Sequence, residues 1–505
     1  MPTIHSSQTS TRDHVREDSP TWDVIVIGTG MGGAAAGAVC ALNGLKTLIL
    51  EKNRQIGGAC ACYEKHGFQV DVGAHLFIRG NSGPFGQLTR RLGMGYPIEF
   101  RHANYMVHLK GMNLDIHVPR NRAAMMTILP RLLWQLGVPP RHYIPIFRLF
   151  RDIIFMSLRN IEALDGVAIE DFVRRYTDDP RARSIIGMLL GLFFILPMWE
   201  VSAGESIWNL QKFILENSLG YPVGGAIVIP RTFLQGAQSY GAEVQMNAGV
   251  DEIWVNDNRV AGVVMENGER ITARAVISTT SINDTIFRLA GRSCFPALYL
   301  QQMSALKPAW AAVQTKIALR QKLVRAGALV GSVPLKFTIH DRVIREATRN
   351  LENGIQGEMV PVYAPVPTNF DPGLAPPGCQ IITAVAVAPT LNIPLQDNEQ
   401  VWIDALMRAL HIMVPGLKEH MIFADTWSVS ELAGWTGKSS GSVITTGQTP
   451  QQVGSRRPDH RTPVKGLYLA GDNAGPARGV GTELACQSGM DCGDLVARDL
   501  TSSSP

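Results

Sequence analysis

Residues 22–51, WDVIVIGTGMGGAAAGAVCALNGLKTLILE, decide the fold of this chain. The stretch opens with an apolar, β-branched run from Trp22 to Ile27, which is typical of a buried parallel strand. A glycine-rich turn follows, then a helix of small residues that ends at Gly44, and then a second apolar strand that finishes at Glu51. The pattern predicts a β-α-β unit.

The turn between this strand and the helix, GTGMGG at residues 28–33, has the form G-x-G-x-x-G. Gly28 allows the tight turn, Gly30 lets the backbone approach a pyrophosphate, and Gly33 lets the helix pack closely on the strand. The helix N-terminus offers free N–H groups and a positive dipole to the phosphates. Because Glu51 ends the next strand, it is suited to accept hydrogen bonds from ribose hydroxyls, so the stretch predicts a dinucleotide site.

Two further segments favour FAD over NAD as the dinucleotide. Gly57 and Gly58 follow the ribose-binding acid and let the backbone approach a cofactor that continues beyond its pyrophosphate. Near the C-terminus, a predicted short strand leads into Gly471 and Asp472, and Asp472 is suited to accept hydrogen bonds from ribityl hydroxyls, which are unique to flavins. A second fingerprint after a strand is absent from the sequence, so we expect no separate NAD(P)H domain.

The chain resembles the FAD-dependent phytoene desaturase family, within the wider flavin amine oxidase superfamily, nearly from end to end. Four segments match in order: the fingerprint, EKNRQIGGACACYEKHGFQVDVGAHLF at 51–77, YPVGGAIVIPRTFLQGAQSYGAEVQMNAGVDEI at 221–253, and GLYLAGDNAGPARGVGTELACQSG at 466–489. The resemblance implies an α/β fold, in which a Rossmann-type FAD lobe like that of glutathione reductase carries an inserted α+β substrate lobe.

The resemblance also implies how the chain is divided between the lobes. Residues 22–100, 221–290 and 455–500 are predicted to form the discontinuous FAD-binding domain. Residues 101–220 and 291–454 are predicted to form the substrate-binding domain, with helices able to face a membrane.

Particular cofactor contacts follow from the same resemblance. It implies that the Val250 backbone meets the adenine end, that Gly73 passes close to the isoalloxazine, and that a helix beginning near Gly481 points its N-terminus at the flavin N1–C2=O edge. A helix N-terminus there stabilises the negative charge of reduced flavin. The predicted cofactor residues are Gly28, Gly30, Met31, Gly32, Gly33, Glu51, Lys52, Gly57, Gly58, Ala59, Gly73, Val250, Gly471, Asp472, Gly481, Thr482 and Glu483.

The expected activity is an FAD-dependent change at C–C bonds of a long apolar isoprenoid or polyene such as a carotenoid. Desaturation, saturation and isomerisation all stay open, with hydride passing to or from flavin N5 and electrons exchanged with oxygen, a quinone or another diffusible compound. The catalytic candidates are His75, Glu483 and Arg478. Each has a structural alternative: a hydrogen-bonded histidine, a helix-dipole partner and a loop brace, respectively.

Three other functions compete with a desaturase. A saturase of the retinol saturase type reverses the redox direction at the same kind of site. A flavin amine oxidase is expected to place aromatic residues beside the flavin, and residues 473–487 contain none. A non-enzymatic lipid carrier on the same fold has no need to keep the glycines and acids of a flavin site.

Composition limits the remaining possibilities. The 505 residues carry a formal net charge of only +4, so no strongly basic field exists to drive nucleic-acid binding. The seven cysteines are odd in number and scattered, which favours reduced thiols and a cytoplasmic protein. The twelve histidines show no metal-ligand spacing, so we predict no metal site. Residues 1–21 are rich in Ser, Thr and charge and predict a disordered tail.

Membrane contact is left open by the sequence. The longest uncharged apolar run, Ile185–Trp199, has 15 residues and contains Pro197, whereas a spanning helix needs about 20, so we predict no transmembrane helix. Residues 141–159 interleave Arg with large apolar residues, a pattern shared by membrane-surface helices, ordinary buried helices and pocket-lining helices. Residues 96–218 are predicted to be mostly helical, and residues 242–280 to form a β-meander.

Overall fold

The computed structural model describes residues 22–121, 124, 127–191 and 193–502, and two seven-stranded sheets dominate it. The predicted disordered tail, residues 1–21, lies outside the described residues. The strands are β1 (Trp22–Ile27), β2 (Thr47–Leu50), β3 (Cys62–Lys65), β4 (Phe68–Asp71), β5 (Phe100–Arg101), β6 (Tyr105–Gly111), β7 (Leu114–Pro119), β8 (Tyr221–Pro222), β9 (Glu243–Gln245), β10 (Val250–Asn256), β11 (Arg259–Met265), β12 (Arg270–Ser278), β13 (Ala311–Leu319), β14 (Ala328–Val333), β15 (Val360–Pro365), β16 (Gln380–Ala388), β17 (Met421–Trp427) and β18 (Leu467–Leu469).

Fifteen α-helices are found among the described residues. They are α1 (Met31–Leu42), α2 (Pro84–Arg91), α3 (Ile128–Gln135), α4 (Tyr143–Phe155), α5 (Leu158–Ala163), α6 (Ile169–Arg174), α7 (Pro180–Gly191), α8 (Ala203–Glu216), α9 (Val228–Ser239), α10 (Ala297–Ser304), α11 (Asp341–Glu352), α12 (Glu399–Met413), α13 (Leu417–His420), α14 (Val429–Thr436) and α15 (Gly481–Ser502).

The first sheet is built around β1, whose Val24, Ile25 and Val26 are fully buried. Its parallel neighbours are β2 on one side and β12 on the other, and β12 is also parallel to β18. The predicted β-α-β unit is therefore confirmed, as is the antiparallel meander of β10, β11 and β12. The prediction for the first strand of the meander region is wrong, because β9 pairs in parallel with β2 at the opposite edge.

The first and last helices of the described residues, α1 and α15, pack closely together. A Cβ atom on Gly489 would lie 2.3 Å from the Gly32 carbonyl oxygen, so only glycine permits this approach of the two backbones. A Cβ atom on Gly32 would likewise lie 2.8 Å from the Cα atom of Gly471. The fingerprint, the segment after β18 and the start of α15 therefore meet at one place.

The second sheet has the order β17-β13-β16-β15-β14-β6-β7, and its strands are antiparallel except for the pair β14 and β6. The β6–β7 hairpin corrects the expectation that residues 96–218 are mostly helical. Apolar and polar residues alternate in this hairpin, but its strands are only seven and six residues long. The helical pattern of the neighbouring aromatic and Met-rich segments was stronger than this short alternation. Mixed α/β architecture with two sheets confirms the predicted fold class.

No helix of the described part of the chain is both long and apolar enough to cross a membrane. The apolar run from Ile185 to Trp199 is divided, because α7 ends at Gly191 and the chain folds back on itself. A Cβ atom on Gly187 would lie 2.2 Å from the sulfur of Met198, so this glycine allows the two arms to pack tightly. The seven cysteines are all free.

Candidate functional site

The fingerprint loop forms a cradle that is closed on one side and open on the other. Gly28 has φ +98°, and a Cβ atom on Gly33 would lie 2.0 Å from the Gly28 carbonyl oxygen, so both positions need glycine to close the turn. At Gly30, by contrast, a Cβ atom would meet no atom within 4 Å. The side of the loop at Gly30 is therefore open space, which fits the close approach of a phosphate group.

Glu51 is fixed beside the cradle with 4% of its surface exposed. Its carboxylate accepts hydrogen bonds from the backbone N–H groups of Thr29 and Asn53, both at 3.0 Å, and from the Thr29 hydroxyl. These donors orient the carboxylate at the end of β2, next to the fingerprint. Its predicted contact with ribose hydroxyls stays a prediction.

A single cavity of about 890 Å³ begins at this cradle and continues into the protein interior. Fifteen of the predicted cofactor residues line it. They are Gly28, Gly30, Met31, Gly32, Glu51, Lys52, Gly57, Gly58, Ala59, Gly73, Val250, Gly471, Asp472, Gly481 and Thr482. Gly33 supports the loop from behind, and Glu483 is directed elsewhere. Segments far apart in the sequence thus share one continuous space that fits an extended dinucleotide.

Asp472 is a charged group that accepts hydrogen bonds from neighbouring residues of the chain. Its carboxylate accepts hydrogen bonds from the Lys438 ammonium at 3.1 Å, from the Thr445 backbone N–H at 3.2 Å and from the Thr445 hydroxyl. Burial opposes the charge, but Lys438 and Thr445 outweigh it and lower the pKa of Asp472 below its usual value. The group therefore stays an acceptor at neutral pH, as the predicted contact with ribityl hydroxyls requires.

His75 is the catalytic candidate that lines the cavity. Its Nδ1 lies 3.1 Å from the Gly73 carbonyl oxygen, and its ring stacks on Phe77 at 5.9 Å between centroids. Burial lowers the pKa of His75 to about 4, so the ring is neutral at physiological pH. A neutral imidazole here can accept or relay a proton, but it does not carry a standing positive charge.

The Glu483 side chain binds the backbone of another segment and does not line the cavity. Its carboxyl group accepts a hydrogen bond from the Arg79 backbone N–H at 2.8 Å. Burial raises the pKa of Glu483 to about 7, so the group is partly protonated at neutral pH. The contact ties the first turn of α15 to the segment that follows His75.

Arg478 is held by two acids, Asp165 in the turn after α5 and Glu205 on α8. Its guanidinium donates to both carboxylate oxygens of Asp165, at 2.9 and 2.6 Å, and to Glu205 at 3.4 Å. Burial opposes its charge, but these acids outweigh it and raise the pKa of Arg478 above its usual value. This arrangement favours the brace among the two roles that the sequence left open.

Two groups of residues at the site were missed by sequence reasoning. The first lies at the C-terminal end of α14, where the Trp435 indole donates to the Gly58 carbonyl oxygen at 3.0 Å. Thr436, Gly437 and Lys438 line the cavity there. This segment was predicted to belong only to the substrate-binding domain. The glycines at 434 and 437 on either side of a tryptophan are the one signal in the sequence that marks it.

The second missed group is a buried lysine beside the cavity. Lys316 has no exposed surface and donates to the Gln314 side-chain oxygen at 3.0 Å, and Gln314 lines the cavity. Burial lowers the pKa of Lys316 to about 7, and burial raises the pKa of Asp71 to about 7. Nothing in the local sequence marks this lysine, because its burial arises only when β13 becomes the inner strand of the second sheet.

Beyond His75 the cavity becomes apolar. Its wall there is supplied by the β6–β7 hairpin, helices α3, α4, α7, α8 and α11, and the inner strands of the second sheet. Representative lining residues are Val107, Leu132, Phe150, Leu210, Ile344 and Val387. Among the described residues of this part of the wall there is no Asp, Glu, Lys or Arg. A long apolar molecule without charge fits this end.

Comparisons with known proteins agree with the geometry. The family model described as flavin containing amine oxidoreductase matches residues 35–496. A prolycopene isomerase from the chloroplast of Daucus carota is 25% identical, over 95% of this chain and 81% of its own length. A 4,4'-diapolycopene oxygenase from Methylomonas is 22% identical, over 94% of this chain and 98% of its own.

Among solved structures, putrescine oxidase with bound putrescine has the same fold. It aligns with a TM-score of 0.67 at 15% identity, over 95% of this chain and 100% of the other. At this identity the likeness concerns the fold alone. The extent of the family match shows that the chain belongs to the flavin containing amine oxidoreductases, and that it is an FAD-binding oxidoreductase.

Proposed function

We propose that this flavin oxidoreductase acts on C–C bonds of a long apolar isoprenoid or polyene, such as a carotenoid. The observation that carries the proposal is the apolar end of the cavity, where no charged side chain of the described residues lines the wall. Its relatives from carrot and Methylomonas bear the names of carotenoid enzymes. Burying an apolar chain there is favourable by roughly 0.8 kcal/mol for each CH₂ group.

In this proposal, residues 22–100, 221–290 and 455–500 bind FAD, and residues 101–220 and 291–454 enclose the substrate. FAD supplies a hydride acceptor or donor at N5. Gly73 and the first turn of α15 position the ring system, while the apolar wall orients the substrate and excludes water. In desaturation one hydrogen leaves the substrate as hydride and a second as a proton, for which His75 is the candidate partner.

Desaturation would also require an electron acceptor, which could be oxygen, a quinone or another diffusible compound. Saturation takes the same steps in reverse, with a diffusible donor supplying the electrons. Redox-neutral isomerisation needs no net acceptor. These variants share the site. Desaturation and saturation differ in the direction of electron flow, and isomerisation has no net electron flow, so the experiment must separate all three.

Anaerobic incubation of the purified holoprotein with different substrates tests the proposal. We expect flavin absorbance to bleach with a phytoene-like polyene, while a diamine such as putrescine leaves it unchanged. If only the amine bleaches the flavin, the protein is an amine oxidase and the proposal is wrong. Reoxidation of pre-reduced enzyme by a polyene, with loss of a double bond, indicates a saturase. Conversion between geometric isomers without net flavin reduction indicates an isomerase.

His75 is expected to add no pH dependence near neutrality. Its pKa of about 4 means that the ring stays neutral as the pH rises through the usual histidine range. The rate of flavin reduction by substrate, measured from about pH 5 to about pH 9, should therefore give parallel profiles for the wild type and His75→Gln. An inflection near the ordinary histidine pKa of about 6.5 that vanishes in the variant would contradict this expectation.

We propose further that an anionic lipid surface is the place where the substrate enters. Helices α3, α4 and α5 expose five large apolar side chains: Trp134, Ile144, Phe147, Phe155 and Leu158. We refer to these five as the apolar surface patch. On α4, Ile144, Arg151 and Phe155 follow the helical repeat and share the outer face, whereas Phe150 lines the cavity from the same helix.

Charge supports the lipid as the occupant of the apolar surface patch. Between Ile128 and Asn160 the chain carries five Arg and one Asp, a net charge of +4 that equals that of the entire chain. Arg side chains between exposed apolar groups match a layer of anionic headgroups over acyl chains. A substrate held in such a layer reaches the apolar cavity without crossing water.

Phe155→Ser is expected to weaken binding to vesicles that contain phosphatidylglycerol. Losing one buried aromatic side chain from the lipid should lower the partition coefficient about tenfold. Vesicle flotation measures this, with Leu298→Ser as the control, because Leu298 is 67% exposed but lies on α10, outside the apolar surface patch. Equal loss of binding in both variants would contradict the assignment.

A further inference from the structure

The β6–β7 hairpin has two chemically different faces. Val107, Leu109 and Val118 line the apolar end of the cavity. The alternate positions lie on the opposite face, where strand pairing sets His108 directly across from His117. Since β7 is the last strand of the second sheet, this outer face is at a sheet edge.

A third ligating group joins the two histidines on this face. Asp115 Oδ1 lies 2.7 Å from His108 Nε2, and the rings of His108 and His117 stack with centroids 3.8 Å apart. One ligand atom from each of the three residues lies within 4.8 Å of the other two. Among the described residues this is the one group of three such side chains so closely gathered.

We propose that His108, Asp115 and His117 bind one Zn²⁺ ion on the outer face of the hairpin. Two imidazole nitrogens and a carboxylate oxygen are ligands that Zn²⁺ prefers. Tetrahedral bonds of about 2.0–2.1 Å place neighbouring ligand atoms about 3.3 Å apart. The two stacked imidazole rings must therefore turn relative to each other for their nitrogens to converge on one ion. Asp115 is largely exposed, which leaves the fourth position to water.

Charged residues near these three ligands both favour and oppose the binding of a cation. The Asp115 carboxylate lies among the three ligand groups and favours a cation there. Lys110 and Arg325 also face His117 and oppose a cation. The Lys110 ammonium, however, is held away by a hydrogen bond of 2.8 Å to the Met413 carbonyl oxygen.

Binding of the ion would connect the two strands across the edge of the sheet. The inner residues of the same hairpin form part of the cavity wall, so the ion would restrain that wall from outside. This consequence does not depend on the identity of the substrate, because it concerns the backbone of residues 105–119. Amide hydrogen exchange reports such a restraint directly.

Calorimetric titration of the purified holoprotein with ZnCl₂ tests the proposal. We expect one equivalent to bind, with slower amide exchange over residues 105–119 and an intense visible band when Co²⁺ replaces Zn²⁺. Asp115→Asn should weaken binding at least about tenfold, and His117→Ala should abolish it. His66→Ala is the control, because His66 is an exposed histidine whose ring packs on Phe423 of β17, at the opposite edge of the second sheet.

Two results would overturn the proposal. One is the failure of the wild type to bind an equivalent of Zn²⁺. The other is equal affinity in the wild type and in folded Asp115→Asn. Circular dichroism confirms that each variant is folded, and the exposed Asp115 gives a test even if His117→Ala unfolds the sheet edge. Because these readouts need no substrate, their outcome is independent of the proposed function.

Discussion

Gly30→Val is expected to give a folded protein that has lost most of its FAD. A Cβ atom at this position meets no atom within 4 Å, and the backbone angles, φ −58° and ψ 175°, suit a β-branched residue. The apoprotein therefore tolerates the change. The added methyl groups occupy the open side of the cradle, where the backbone must come close to the pyrophosphate.

The expected loss of FAD affinity is about 100-fold, or roughly 3 kcal/mol, at the upper end of what overpacking costs. Flavin absorbance of the purified protein and fluorescence titration of the apoprotein measure it. Gly434→Val is the control, because a Cβ atom there also meets nothing within 4 Å and the residue does not line the cavity. Unchanged flavin content in Gly30→Val would refute the assignment of the cradle to the pyrophosphate.

Arg478→Met is expected to lower the free energy of unfolding by about 3–5 kcal/mol. The guanidinium and Asp165 are each 11% exposed at the side chain, and Glu205 is fully buried. Removing Arg478 leaves two acids in the interior. Among the described residues, Arg457, 4.0 Å from Glu205, is then the one cation within ion-pair distance of either acid. Breaking a buried ion pair by removing one partner leaves an uncompensated charge, which explains the size of the effect.

Urea denaturation of the holoprotein measures this loss, and Arg461→Met is the matched control. Arg461 also makes two hydrogen bonds to one carboxylate, that of Asp499, but its side chain is 54% exposed, so its loss should cost at most about 1 kcal/mol. A folded Arg478→Met protein with wild-type stability and no turnover would contradict the brace and support the catalytic role instead.

Most of the residues that the sequence predicts for the cofactor lie together on the wall of one cavity. The fingerprint glycines, Glu51 and the segment from Gly57 to Ala59 are contiguous or nearly so, and their chemistry is local. A tight turn needs glycine at Gly28 whatever surrounds it, because φ there is +98°. The predicted short strand before Gly471 and the last helix from Gly481 are also present, because local sequence marks them too.

The roles of individual charged residues could not be predicted in the same way. Arg478 is separated by 313 residues from Asp165 and by 273 from Glu205, and no sequence pattern connects them. Lys438 and Thr445 reach Asp472 from a segment assigned to the other lobe. Which groups surround a charged residue depends on how the lobes pack. The pKa and the role of that residue therefore depend on the packing too.

The nucleotide-binding unit could be predicted from the sequence alone, because strand period, turn glycines and the acid after β2 are encoded within about 30 residues. The family resemblance needed four segments that match in order along nearly the whole sequence. Which residues form the apolar end of the cavity, and which gather on the outer face of the β6–β7 hairpin, depends on how the strands assemble into the second sheet. Strand register decides this: a slip of one residue would turn Val107 outward and His108 toward the cavity. Register is fixed by pairing with distant strands, so it is a property of the assembled sheet.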